Sequence, residues 1–178
     1  MSSTTLLTDE EFLALPKTPG KQELLDGELI SLPPSKHSHD LLAEKIAALL
    51  RPAFPAGYVW IESGYQLAPR KWLQPDVSVI WPDQRVENDY KQGGPMIAVE
   101  ISSGANTDEQ MERKRLQYLE HSTAEVWIIY PATRTMLVCG GDFTRHIRTS
   151  DTYRCEIVPV EITPEYRTAD SATVRPRD

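Results

Sequence analysis

Short apolar runs, many of them alternating, fill most of the chain, and Gly, Pro and Asp residues separate them. Thr8-Asp9-Glu10-Glu11 has the form of a capping box, since Glu11 stands three residues after Thr8. It predicts a short helix carrying Phe12, Leu13 and Leu15 and ended by Pro16. Glu23-Leu24-Leu25-Asp26-Gly27-Glu28-Leu29-Ile30 predicts a hairpin, because Asp-Gly supplies the positive φ angles of a tight turn. Residues 38–50 form a helix on spacing, with Leu41, Leu42, Ile46, Leu49 and Leu50 on one stripe. Strands are predicted over 58–61, 65–68, 76–81, 96–102, 125–130, 135–139 and 143–147, with 157–162 as a last one. Residues 82–95 read as a polar loop, and Thr107 caps a helix running to about His121.

Strands first, then a helix between strands 96–102 and 125–130, make this an α+β (mixed α/β) chain. The expected architecture is a mixed, largely antiparallel β-sheet flanked by helices, with 107–121 as a crossover joining parallel neighbours. At 178 residues the chain is read as one domain, 1–178, in which 165–178 is a loose tail of low apolar content. No run of about 18 apolar residues occurs, so no membrane-spanning helix is expected. The N-terminal residues lack a basic start and an apolar core, so they do not read as a secretory signal. Cys139 and Cys155 have no metal-site spacing and make no disulfide framework, which points to a reduced, cytoplasmic protein. The formal charge of -7 argues against coating nucleic acid by bulk positive potential, but leaves room for an acidic cation site with a local basic patch.

Two of the strands each carry a carboxylate among apolar residues. In 76–81, Asp76, Ser78 and Ile80 share one face and Val77, Val79 and Trp81 the other. In 96–102, Met96, Ala98, Glu100 and Ser102 oppose Ile97, Val99 and Ile101. Antiparallel pairing of these strands would bring Asp76 to Glu100 on one side of the sheet. Two converging carboxylates lose solvation and repel, so they call for a compensating cation. An oxygen donor set suits Mg²⁺, with Mn²⁺ as a substitute, and such an ion activates phosphoryl transfer to water. A nearby lysine ammonium would stabilise the charge that develops.

Pro75-Asp76, 23 intervening residues and Glu100-Ile101-Ser102 resemble the PD-(D/E)XK nuclease superfamily, with Ser102 where its lysine belongs. The wider stretch is similar to the Uma-type restriction endonuclease family. The matching pieces are Glu23–Glu28, Gln74–Val79, Val99–Ser102, Met111–Tyr118 and Glu125–Pro131. The resemblance implies a restriction-endonuclease-like core and a Mg²⁺-dependent endonuclease acting on DNA. It implies Asp76 and Glu100 as metal ligands, with the main-chain carbonyl of Ile101 and Glu23 adding to the shell. It also implies that Lys114 has migrated to the following helix to replace the strand lysine. One departure is Ser102-Ser103-Gly104, where the family reads Ser-Pro-Ser. A homodimer would suit cutting of both strands of a duplex.

Plainer readings stand beside these. Asp76 can simply open a strand, Glu23 can pair with a lysine at its hairpin, and Lys114 can lie on a solvated charged face with Arg113 and Arg115. His37 and His39 form a His-x-His without a third soft ligand nearby in sequence, and the four tryptophans read as anchors rather than base-stacking platforms. At the level of function, a catalytically silent nucleic-acid- or protein-binding module, or a metal-dependent hydrolase of another phosphoester, remain as alternatives.

Overall fold

The computed structural model describes residues 6–104 and 107–162. The tail expected over 165–178 lies outside the described residues. Helix α1 (Asp9–Leu13) opens on the Thr8 capping box as expected. Strands β1 (Gln22–Leu25) and β2 (Glu28–Ser31) form the Asp-Gly hairpin, with Asp26 and Gly27 both at positive φ, 55° and 88°. Helix α2 (His37–Leu50) follows, then β3 (Val59–Ile61), β4 (Tyr65–Ala68), β5 (Lys71–Leu73) and β6 (Val77–Val79). After them come β7 (Val86–Glu87), β8 (Tyr90–Gln92), β9 (Ile97–Ile101) and helix α3 (Asp108–Glu120). The chain continues through β10 (Glu125–Tyr130), β11 (Thr135–Cys139), β12 (Thr144–Ile147), β13 (Tyr153–Arg154) and β14 (Glu161–Ile162).

Among the described residues the strands divide into two six-stranded sheets and a small ribbon, where the sequence suggested one sheet. The central sheet runs β12-β11-β10-β9-β6-β3, and the second runs β2-β1-β5-β4-β8-β7. Neighbouring strands β3 and β4 thus fall into different sheets. Strand β5 escaped the sequence reading because three residues after an Arg70 turn at positive φ show no usable alternation. The short β7–β8 hairpin, turned at Asn88-Asp89, lies in the stretch expected to be loop, and it is half-exposed and polar. The 157–162 run contributes only β14, paired to β13. The α3 crossover does join parallel neighbours, with Ile128 beside Glu100 across β10 and β9.

Both faces of the central sheet are covered, which makes its inner strands apolar on both sides. One face packs Val77, Val79, Ile97, Val99 and Ile101 against α2 through Ala43, Ile46, Ala47, Leu49 and Leu50. Leu41, expected on that stripe, is exposed, while the small Ala43 and Ala47 let the helix sit close to the sheet. The other face packs Ala98, Val126 and Ile128 against Met111 and Tyr118 of α3 and against Leu25, Tyr65 and Leu73 of the second sheet. Among the described residues no helix is long and apolar enough to cross a membrane. The architecture is α+β with mixed sheets, as expected.

Candidate active site

The polar groups of interest gather at one margin of the second core face, where the two sheets and α3 meet. Strand β6 pairs antiparallel with β9, Val77 opposite Val99. One step further along the register sets Asp76 across from Glu100. Both side chains take the face of Ser78 and Ala98, as alternation requires. Strand β1 brings Glu23 to the same place, because Glu23 and Leu25 share the face turned toward that core. Helix α3 buries Met111, Lys114 and Tyr118, which are three and four residues apart and so form one stripe.

Lys114 is therefore not on a solvated face. Its Nζ lies 2.7 Å from Glu100 Oε1 and 2.9 Å from Glu23 Oε1. Its neighbours carry the surface chemistry instead: Arg113 pairs with Glu28 at 2.8 Å and Arg115 with Glu112 at 2.5 Å. The Tyr118 hydroxyl donates to Glu100 Oε1 at 2.8 Å, and the Gln74 amide donates to Glu23 Oε1 at 2.9 Å. Glu23, Asp76, Glu100 and Lys114 are all at most 3% exposed.

Asp76 has a different set of partners. Its Oδ2 accepts from the Ile101 amide at 2.7 Å and lies 3.3 Å from His39 Nε2. Its Oδ1 accepts from Lys21 Nζ at 2.6 Å. Neither Lys21 nor His39 was assigned a role from sequence. Lys21 stands two residues before Glu23, the spacing that puts both on one side of an extended chain. His39 lies in the first turn of α2, and nothing local in the sequence aims it at Asp76.

Burial raises both strand carboxyls, yet their net shifts are opposite. For Asp76, desolvation raises the carboxyl, but the His39 hydrogen bond and the Lys21 and Lys114 charges outweigh it and hold the group well below the usual carboxylate range. Burial pushes Glu100 up to about 7, against the pull of Lys114 and with added repulsion from Asp76 and Glu23. Burial lowers Lys114, yet the Glu100 and Glu23 carboxylates hold it above its ordinary value. His39 is raised, first through its hydrogen bond to Asp76. Such separated protonation preferences in adjoining carboxylates are characteristic of sites that handle protons and cations.

An open cleft of about 200 Å³ reaches this cluster, walled by Lys21, Lys36, His39, Gln74, Asp76 and Ile101 among others. Among the described residues no group of three or more His, Cys, Asp or Glu side chains forms a ready-made metal cage. The donor chemistry nevertheless fits a hard divalent cation, which takes a few carboxylates and completes its shell with water and substrate oxygen. Three carboxylates face two ammonium groups, leaving one negative charge when all three acids are ionised and His39 is neutral. Glu23 Oε2 is buried and has no hydrogen-bond partner. Asp76 and Glu100 with the Ile101 main chain, and Glu23 behind them, are the residues that would hold such an ion.

A search of curated proteins gives no significant match. The structure is similar to a crystal structure described as a "putative nuclease belonging to DUF820" from Anabaena variabilis ATCC 29413. The TM-score is 0.75 at 21% identity, over 84% of this chain and 89% of that one, which shows a shared fold. The profile of the Uma2 family, described as "Putative restriction endonuclease", matches residues 9–166, and the chain belongs to that family.

Proposed function

We propose that the chain is a Mg²⁺-dependent endonuclease that hydrolyses DNA phosphodiester bonds. One observation carries the reading: Asp76, in the wall of a cleft, and Glu100 face each other on antiparallel strands, with a fully buried lysine balancing Glu100. Asp76 and Glu100 hold the ion, with Mn²⁺ able to replace it, and Ile101 and Glu23 complete the protein side. The cation supplies Lewis-acid polarisation of the phosphoryl group when bound. Lys114 supplies the positive charge that the strand lysine, replaced by Ser102, would otherwise bring. It keeps Glu23 and Glu100 close together without mutual expulsion. Cutting both strands of a duplex favours a homodimer. Free, buried Cys139 and Cys155 fit a reducing cytoplasm.

A second reading is a catalytically silent binding module of the same fold. It is favoured by the way Lys21 and Lys114 already pair the carboxylates. The deciding assay incubates DNA with the purified protein, with Asp76→Ala and with Lys114→Ala, in Mg²⁺ or Mn²⁺. Cleavage by the unmodified protein alone supports the nuclease. Equal residual cutting by all three sinks it.

A further inference from the structure

The lysine on α3 and the lysine ahead of β1 are placed very differently. Lys114 has a side chain only 1% exposed, clamped by two carboxylates, and is not part of the cleft wall. Lys21 lies in the cleft wall, with its side chain 11% exposed and, among the described residues, a single carboxylate partner, Asp76. An arriving phosphodiester can therefore meet Lys21, whereas Lys114 would first have to leave Glu23 and Glu100.

The base of Lys21 is fixed. Its carbonyl accepts from the Leu32 amide at 2.8 Å. A Cβ on the preceding Gly20 would come within 1.9 Å of the Leu32 carbonyl oxygen, so that turn is packed backbone to backbone. Motion at this position is confined to the four-carbon side chain, whose ammonium is a mobile point charge. That ammonium occupies Asp76 Oδ1, one of the oxygens a divalent cation would need.

We propose that Lys21 is an exchangeable counter-ion: it neutralises Asp76 until a divalent cation takes that carboxylate, and its released ammonium then binds a phosphate oxygen of the DNA. The proposal rests on the nuclease reading and assigns the substrate-facing charge to Lys21 rather than Lys114. Cation and lysine compete for one carboxylate, so removing the lysine charge has effects of opposite sign. The cation loses a competitor, and the DNA loses a charge-assisted contact.

The test compares the full-length protein with Lys21→Met and Lys21→Arg. Calorimetric titration with Mn²⁺ alone should show Lys21→Met binding the ion about 3- to 10-fold more tightly, and Lys21→Arg close to the unmodified protein. Fluorescence anisotropy with a labelled DNA duplex in Ca²⁺ should show Lys21→Met binding DNA about 3- to 10-fold more weakly, with Lys21→Arg largely rescuing it. A lysine with a purely structural role would weaken both. Cation binding unchanged or weakened in Lys21→Met, or DNA binding unchanged, overturns the proposal and leaves the nuclease reading standing. An unmodified protein that binds no Mn²⁺ and cuts no DNA overturns both. NMR of the unmodified protein covers the case in which Lys21→Met does not fold. The Lys21 side-chain resonances should move on Mg²⁺ saturation, and a stationary Lys21 overturns the exchange.

Discussion

The central sheet buries a second carboxylate that looks, in sequence, much like the first. Glu100 stands in Ile-Ala-Val-Glu-Ile of β9, and Glu125 opens Glu-Val-Trp-Ile-Ile-Tyr of β10, one strand away. Their faces differ. Glu100 points to the side of α3 and the second sheet, where it meets an ammonium and a phenol and feels the charges of Glu23 and the cleft-lining Asp76. Glu125 takes the opposite face with Trp127. Its Oε2 accepts from the Trp127 indole at 2.7 Å and from the Cys155 thiol at 3.4 Å, and its Oε1 from the Glu156 amide at 3.2 Å. The partners of Glu125 are neutral and come partly from the β13–β14 segment, so this carboxylate pins that segment to the sheet. Burial of an acid alone does not mark a reactive site. The company of cations, other acids and a cleft does.

The widest expected difference between the two is in activity. Glu100→Gln should lower DNA cleavage about 100-fold or more, and Glu125→Gln should leave the rate per folded molecule within about twofold. Comparable losses in both, measured as initial rates at matched folded fraction, would erase the distinction.

Stability should separate them next. Lys114→Met leaves Glu23 and Glu100 buried without their shared cation and should cost about 3–5 kcal/mol in urea denaturation. Glu125→Gln turns one acceptor into a donor against neutral partners and should cost about 1–3 kcal/mol.

The pH response sharpens the contrast further. Glu100 is raised from 4.5 to about 7 by burial, so the folded protein binds more protons than the unfolded chain between those values. Stability contributed by this group is present at low pH and lost as pH rises through that window, on the order of 3 kcal/mol. His39, also raised, adds stability below its unfolded value of 6.5 that is lost as pH rises through its folded one, so it acts in the same direction. Asp76, held low, opposes this only at acid pH, where its contribution is lost as pH falls. Thermal melts of metal-free protein should fall from pH 5 to pH 7.5. Glu100→Gln should flatten that slope.

The smallest effect belongs to Cys155→Ala, which removes one weak thiol donor to Glu125 and should cost about 1 kcal/mol without changing cleavage. A larger loss would mean that the thiol anchors the segment more firmly than its 3.4 Å contact suggests.

Much of the site was readable along the chain because strand alternation is local. Asp76 with Ser78, and Glu100 with Ala98, take the faces that period-two spacing assigns, and the Asp26-Gly27 turn sets Glu23 in its hairpin. The α3 stripe was harder. Met111, Lys114 and Tyr118 stand at helical spacing, but a lysine between two arginines reads as solvent-exposed until its partners are known. Partnership is a long-range property, and Glu23 lies 91 positions before Lys114.

By itself, the amino-acid sequence determined most of the α+β elements, the shared faces that let Asp76 and Glu100 meet once their strands pair, and the resemblance that the family match bears out. Those features follow from turn chemistry, side-chain period and local residue identity. Tertiary structure alone decided that β3 and β4 part into different sheets, that Lys114 is buried between two acids, and that Lys21 and His39 reach Asp76. It also decided which of two similar buried glutamates lies across from Asp76, in the wall of a cleft. The reason is physical: the electrostatic environment of a buried charge is set by groups folded around it from distant parts of the chain, and no local pattern encodes them.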